Sequence, residues 1–180
     1  FRNEETKQTV LSGRGLVHIE VTAEKIQRKF NVGMDIETPK VAYRETFKKK
    51  IRVQGKHKKQ SGGHGQYGDC WIVLEPLTKG SGFEFVDKIV GGVIPKNYIP
   101  AVEAGVREAS QAGILAGFPC VDFRVTVDFG SYHSVDSSEM AFKMAGTLAF
   151  KKAAVDAKAT LLEPVMKIAV KVPEDSTGDI

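Results

Sequence analysis

The sequence predicts an α+β protein, and three patterns carry that reading. Strand-like alternation recurs in Cys70-Ile72-Leu74 and in Val121-Phe123-Val125-Val127, where every second residue is apolar. Helical spacing governs Val102-Val106-Ala109 and the row Ala141-Ala145-Ala149-Ala153. Turn clusters such as Thr78-Lys79-Gly80-Ser81-Gly82 and Gly91-Gly92-Val93-Ile94-Pro95 separate these runs. With 180 residues, 42% of them apolar, the chain has material for one ordinary domain or two small ones. No run approaches the ~18 apolar residues that would span a bilayer, so no membrane partner is expected.

Taken in order, Gln8 to Leu11 is a short β-prone run ended by Ser12-Gly13. Leu16 to Val21 alternates and reads as a strand with Val17, Ile19 and Val21 facing a core. Thr22 then caps a helix in which Ile26 and Phe30 share a face, and Asn31 and Gly33 stop it. Met34 and Ile36, before the Thr38-Pro39 break, suggest one more strand. This first unit reads as incomplete, because short strands and one helix bury little surface.

From Val41 the strands lengthen. Val41 to Thr46 leads into a basic strand through Ile51 and Val53, and Cys70 to Leu74 forms the next strand. After the Thr78–Gly82 turn, Phe83 to Asp87 reads as a returning strand. Pro100 sits in the first turn of a helix that ends by Gly113. Val121 to Asp128 is a strand with Asp122, Arg124, Thr126 and Asp128 on its polar side. Asp136, with Glu139 three residues on, predicts a capping-box start for a long helix over roughly 137–157. The alanine row of that helix would let it lie close against a sheet. Met166, Ile168, Val170 and Val172 then alternate before Pro173, and Thr177-Gly178-Asp179 opens a further segment. A chain running from Phe1 to Ile180 in this way reads as an internal piece of something longer.

Charge is unevenly placed. Seven of the 26 basic residues lie between Thr46 and Gly68, where there is no acid, although net charge is only +4. The same region contains Lys56-His57-Lys58-Lys59-Gln60-Ser61-Gly62-Gly63-His64-Gly65-Gln66-Tyr67-Gly68. Its glycines let the backbone turn sharply and approach a bulky partner, while the lysines supply charge and the glutamines and Tyr67 neutral hydrogen bonds. That profile suits polyanionic RNA or nucleotide phosphates. A solvated hairpin loop between two strands has the same composition.

Several motifs fail on context. Gly63-x-Gly65-x-x-Gly68 has dinucleotide-loop spacing, but the following residues alternate as a strand where a helix must open. Asp128-Phe129-Gly130 matches a kinase tripeptide without the rest of a kinase. His133, Asp136 and Ser137 have the residue types of a hydrolytic triad, yet near-consecutive residues entering a helix rarely reach its geometry. The four histidines lack metal-ligand spacing, and no GxxxxGK[ST] loop is present. Cys70 and Cys120 sit among apolar residues, which suggests buried reduced thiols and a cytoplasmic protein.

Three stretches together carry a family resemblance. The Lys56–Gly68 loop resembles the signature loop of translation elongation factor G. So do Gly91-Gly92-Val93-Ile94-Pro95-Lys96-x-Tyr98-Ile99-Pro100-Ala101-Val102 and Gly130-Ser131-Tyr132-His133-x-Val135-Asp136-Ser137-Ser138-Glu139-Met140-Ala141-Phe142-Lys143. Leu162-Glu163-Pro164-x-Met166 and Thr177-Gly178-Asp179 resemble the junction with its last domain. The likeness runs in order over nearly the whole chain. His64 stands where arginine is frequent, and Ile114 replaces a frequent proline.

The resemblance implies a five-domain ribosomal translocase. Residues 1–43 would be part of the third domain, an incomplete ferredoxin-like fold. Residues 44–163 would be the fourth domain, whose fold is like that of ribosomal protein S5 with a left-handed βαβ crossover, and 164–180 the first strand of the fifth. It implies that the fourth domain mimics tRNA and reaches the small-subunit decoding centre, against A-site tRNA and mRNA. One tip loop would be Gln60, Ser61, Gly62, Gly63, His64, Gly65, Gln66 and Tyr67; the other would include Ser131, Tyr132, His133 and Asp136. Lys56, Lys58 and Lys59 would meet rRNA phosphates. No cofactor is expected in this stretch; GTP and Mg²⁺ would belong to another domain of the parent, a ribosome-dependent GTPase. The alternatives are a ribosome-protection-type paralogue, a free-standing RNA-binding module, or a small enzyme using His133 with Asp136 or Ser137. Pairing of two chains through truncated domain edges is a further expectation.

Overall fold

A computed structural model of the chain describes residues 1–3, 6–60, 62–63 and 65–165. It divides into two units, Phe1–Ala42 and a second beginning at Tyr43. The expected last strand, Met166 to Val172, and Thr177-Gly178-Asp179 lie outside the described residues.

The first unit departs from the expectation. Leu16 to Val21 is not a strand: helix α1 runs Leu16–Phe30. Ile19, Thr22, Ala23 and Ile26 form its covered stripe, while Val17, Val21 and Phe30 are exposed. Three- and four-residue spacing therefore overrides the shorter alternation. Thr22 is inside the helix and donates its hydroxyl to the His18 carbonyl, so it caps nothing. Asn31 does end the helix, in the left-handed conformation that an Asn tolerates (φ 53°), with its N–H on Gln27 O. Residues around Met34 and Ile36 form no strand, and the Gln8–Leu11 run is reduced to one bridge, Arg2 to Thr9.

In the second unit, β1 (Arg44–Thr46) pairs antiparallel with β6 (Thr160–Leu162). The main sheet contains β2 (Ile51–Lys59), β3 (Gln66–Pro76), β4 (Phe83–Asp87) and β5 (Phe123–Ser131), in the order β2-β3-β5-β4. The predicted returning strand β4 does not pair back on β3. It lies beyond β5 and parallel to it, joined through helix α2 (Ile99–Ala112) as a βαβ crossover. β3 already has β2 on one side and β5 on the other, which leaves no edge for β4.

The core follows the alternation. Cys70, Ile72, Leu74, Phe123, Val125 and Val127 are buried on the sheet face that helix α3 (Glu139–Asp156) covers, and α2 packs against α3 through Val102, Val106 and Ala109. The predicted alanine row is buried. Its closeness to the sheet requires glycine at two facing positions. A Cβ on Gly55 would come 2.2 Å from the Ala145 carbonyl oxygen, and one on Gly68 2.4 Å from that of Ala141. Burial pushes the Cys70 thiol up to about 12, with the Asp69 charge adding to it. No helix among the described residues is long and apolar enough to cross a membrane.

Two acidic residues do something the alternation does not suggest. Glu45 is fully buried and accepts from the N–H groups of Ile114, Leu115, Ala116 and Phe118, at 2.7–3.2 Å. Asp122 precedes β5 rather than extending it; its carboxylate accepts from Gly80 and Gly82 N–H and holds the turn before β4.

Candidate nucleic-acid interface

The long strands deliver both candidate loops to one end of the sheet. β2 ends at Lys59 and β3 begins at Gln66, paired to each other, while Ser131 at the end of β5 pairs with Asp69. Between β2 and β3 the backbone passes through Gly62 (φ 41°) and Gly63 (φ 115°), conformations that favour glycine. Gln60 is exposed just past β2, whereas Ser61 and His64 lie outside the described residues. Tyr132 and His133 are exposed in the turn that follows β5.

The two loops are stitched together. Gly65 N–H donates to the Asp136 carboxylate at 3.0 Å, and Tyr67 N–H donates to the Asp136 carbonyl at 2.8 Å. The Ser137 hydroxyl donates to the Tyr67 carbonyl at 2.9 Å and accepts from His133 N–H at 2.9 Å. The Tyr67 hydroxyl bonds the Ser131 hydroxyl at 2.7 Å, which in turn donates to buried Asp69 at 2.7 Å. Gln54 Nε2 donates to the other Asp69 oxygen at 2.8 Å. A side chain at position 65 would meet the Asp136 carboxylate at 3.0 Å, so the absence of one permits this contact.

This network corrects the expected helix start. Asp136 is not the cap of α3: Ser138 is, its side chain accepting from Ala141 N–H. It also breaks the serine–histidine link that a triad needs. The Ser137 hydroxyl faces a backbone carbonyl rather than the imidazole. His133 Nδ1 accepts from the N–H groups of Val135 and Asp136, at 3.3 and 3.2 Å. The Asp136 carboxylate is also 3.5 Å from Nδ1, and about half of the His133 side chain remains exposed.

The cations divide between faces. By strand alternation Lys56 and Lys58 point to the sheet face away from α3, and Lys59 to the other. Lys56 Nζ lies 5.6 Å from the Tyr67 ring centroid. His57 Nε2 and Gln66 Oε1 meet at 2.9 Å, which fixes the two strand ends beside the loop. Among residues the sequence did not single out, Asp69 and Gln54 prove central. The available signal was a carboxylate set between Gly68 and Cys70 in the middle of an apolar strand.

A four-stranded sheet with helices on one face and two braced loops at one end accords with the S5-like fourth domain of a translation elongation factor. The chain belongs to the elongation factor G family. The model "Elongation factor G, domain IV" matches residues 39–158, and "Elongation Factor G, domain III" matches residues 1–38. The chain is also similar to a crystal structure from Thermus thermophilus, of the protein designated ttk003000868, at 49% identity and a TM-score of 0.84. That match covers 91% of this chain and 24% of the Thermus chain.

Proposed function

We propose that this chain is the part of a ribosomal translocase that enters the small-subunit decoding centre and promotes movement of tRNA and mRNA. The observation that carries the reading is the Gly65–Asp136 brace, which joins the two loops into one outward-facing tip. A glycine-rich tip with His133 exposed suits contact with RNA backbone and 2′-hydroxyls, without sequence readout. Such a contact fits a factor that acts on every codon. Lys56, Lys58 and Lys59 add a salt-sensitive attraction to rRNA phosphates that positions without specifying. The proposed partners are the decoding centre, A-site tRNA and mRNA, in the cytoplasm.

GTP hydrolysis, with its Mg²⁺, is assigned to another domain of the whole factor, since this sequence has no GxxxxGK[ST] loop. The domain limits that accompany this proposal are 1–43, 44–163 and 164–180. The test is His133→Ala in the intact factor. Loss of one tip contact is expected to slow single-round translocation by about tenfold or more, equivalent to roughly 1.4 kcal/mol, with ribosome-stimulated GTP hydrolysis unchanged. Equal loss of both activities would overturn the assignment.

A further inference from the structure

We propose that the open face of the four-stranded sheet, next to the tip, is a stacking platform for unpaired nucleotides of single-stranded RNA. The proposal rests on the reading that this end of the domain faces RNA. It assigns a second surface, separate from the loops.

The key residue is Phe129. Phe123, Val125 and Val127 are buried against the helices, and simple alternation would send Phe129 inward after them. The register slips between Trp71 and Ile72: Ile72 pairs with Val127 but Trp71 pairs with Phe129, so Asp128 is an extra residue on β5. Such a bulge re-aims the following side chain. Phe129 emerges on the open face opposite Trp71, 47% exposed, with no ring or cation against it among the described residues.

Its neighbours are flat and cationic. The Arg52 guanidinium lies 4.6 Å from the Trp71 ring centroid and is held by two hydrogen bonds to Asp128, at 2.7 and 3.1 Å. Held in that way, the guanidinium offers a second stacking plane. Nearer the tip, Lys56 and Lys58 share this face and have no acidic partner among the described residues. The acids present are committed: Asp69 is buried and bonded to Gln54 and Ser131, and Asp128 to Arg52. Glu75 and Glu84 lie toward the far end, paired with Lys50 and Arg124. Aromatic and guanidinium planes beside these lysines match the chemistry of unstacked bases on a phosphate chain. A duplex, whose base faces are covered, has nothing to stack there.

Trp71 is the only tryptophan in the chain, so it reports on its own surroundings. The test is to titrate the 180-residue chain with oligouridylate at low salt while following tryptophan fluorescence. Saturable quenching is expected, with a Kd on the order of 10–100 µM. Phe129→Ala should weaken binding by roughly fivefold or more while lowering the melting temperature by only a few degrees, because the ring is about half exposed. Lys56→Gln should also weaken it and reduce the salt slope by about one, whereas Lys151→Gln, exposed on α3, should not. The proposal is overturned by absent quenching, by unchanged affinity in Phe129→Ala, or by equal binding of a paired RNA of the same length. It is equally overturned if Lys151→Gln acts like Lys56→Gln, or if only an unfolded Phe129 variant loses binding. None of these outcomes bears on translocation by the intact His133 variant, so the two readings can fail separately.

Discussion

Gly65 N–H and the Asp136 carboxylate meet at 3.0 Å although 71 residues separate them. This bond adds to the Tyr67–Asp136 and Ser137–Tyr67 bonds that hold the first loop against the second, while Ser138 caps the helix that follows. Asp136→Ala should cost about 1–2 kcal/mol, the worth of a hydrogen bond to a partly exposed charged acceptor. Asp136→Asn, which keeps an acceptor, should recover part of it. Urea denaturation measures the loss, and amide exchange at Gly65 locates it. Wild-type protection at Gly65 in the alanine variant would mean that the brace does not hold the loop.

Glu45 makes a pH prediction. Burial pushes its carboxyl up, but the N–H groups of Ala116, Leu115, Ile114 and Phe118 together outweigh that and hold it below its usual 4.5. A group whose folded value is depressed contributes stability above its unfolded value and loses it as pH falls through the folded one. Stability should therefore be flat down to about pH 4.5 on this account and decline below it. Glu45→Gln should be less stable at neutral pH, by about 2 kcal/mol or more from weakened N–H bonding, with a shallower acid decline. Parallel acid profiles for the two proteins would show that other carboxylates set the decline.

Gly55→Ala tests the approach of α3 to the sheet. The added methyl would meet the Ala145 carbonyl oxygen at 2.2 Å, and a backbone atom cannot swing aside. The expected cost is about 1–3 kcal/mol of overpacking, read as a lower urea midpoint with unchanged slope. No change in midpoint would indicate that the helix rides further from β2.

The readable parts of the fold were those where one local period decides everything. Cys70, Ile72 and Leu74 point inward as their alternation predicts, and the alanine row of α3 is buried because four-residue spacing puts it on one side. Leu16 to Val21 misled because its apolar residues are compatible with two periods at once. Only the continuation through Ala23 and Ile26 distinguishes them, and a strand there would have needed a partner edge. The position of β4 was equally hidden, since which strand neighbours β5 depends on the crossover and not on the composition of Phe83–Asp87.

At the tip, residue types were legible and their partners were not. Asp136 fits a helix cap when read locally, and nothing in its neighbours indicates Gly65. Phe129 continues an inward row until the register slip on β3 turns it out. Both cases depend on contacts between residues about sixty or seventy positions apart. Ser61 and His64 lie outside the described residues, so their expected part in the tip rests on the sequence.

The short pair β1–β6 has a mechanical meaning. Arg44–Thr46, at the start of this unit, and Thr160–Leu162, after α3, run side by side. Glu45 also bridges Cys120, just ahead of the start of β5, so this anchorage is at the opposite end of the sheet from Ser131. Nine-residue strands separate the two ends by roughly 25 Å. Within this unit the tip and the β1–β6 pair thus lie about one strand length apart. A force applied at the tip therefore acts on the three-residue β1–β6 pair with the length of the long strands as its lever arm.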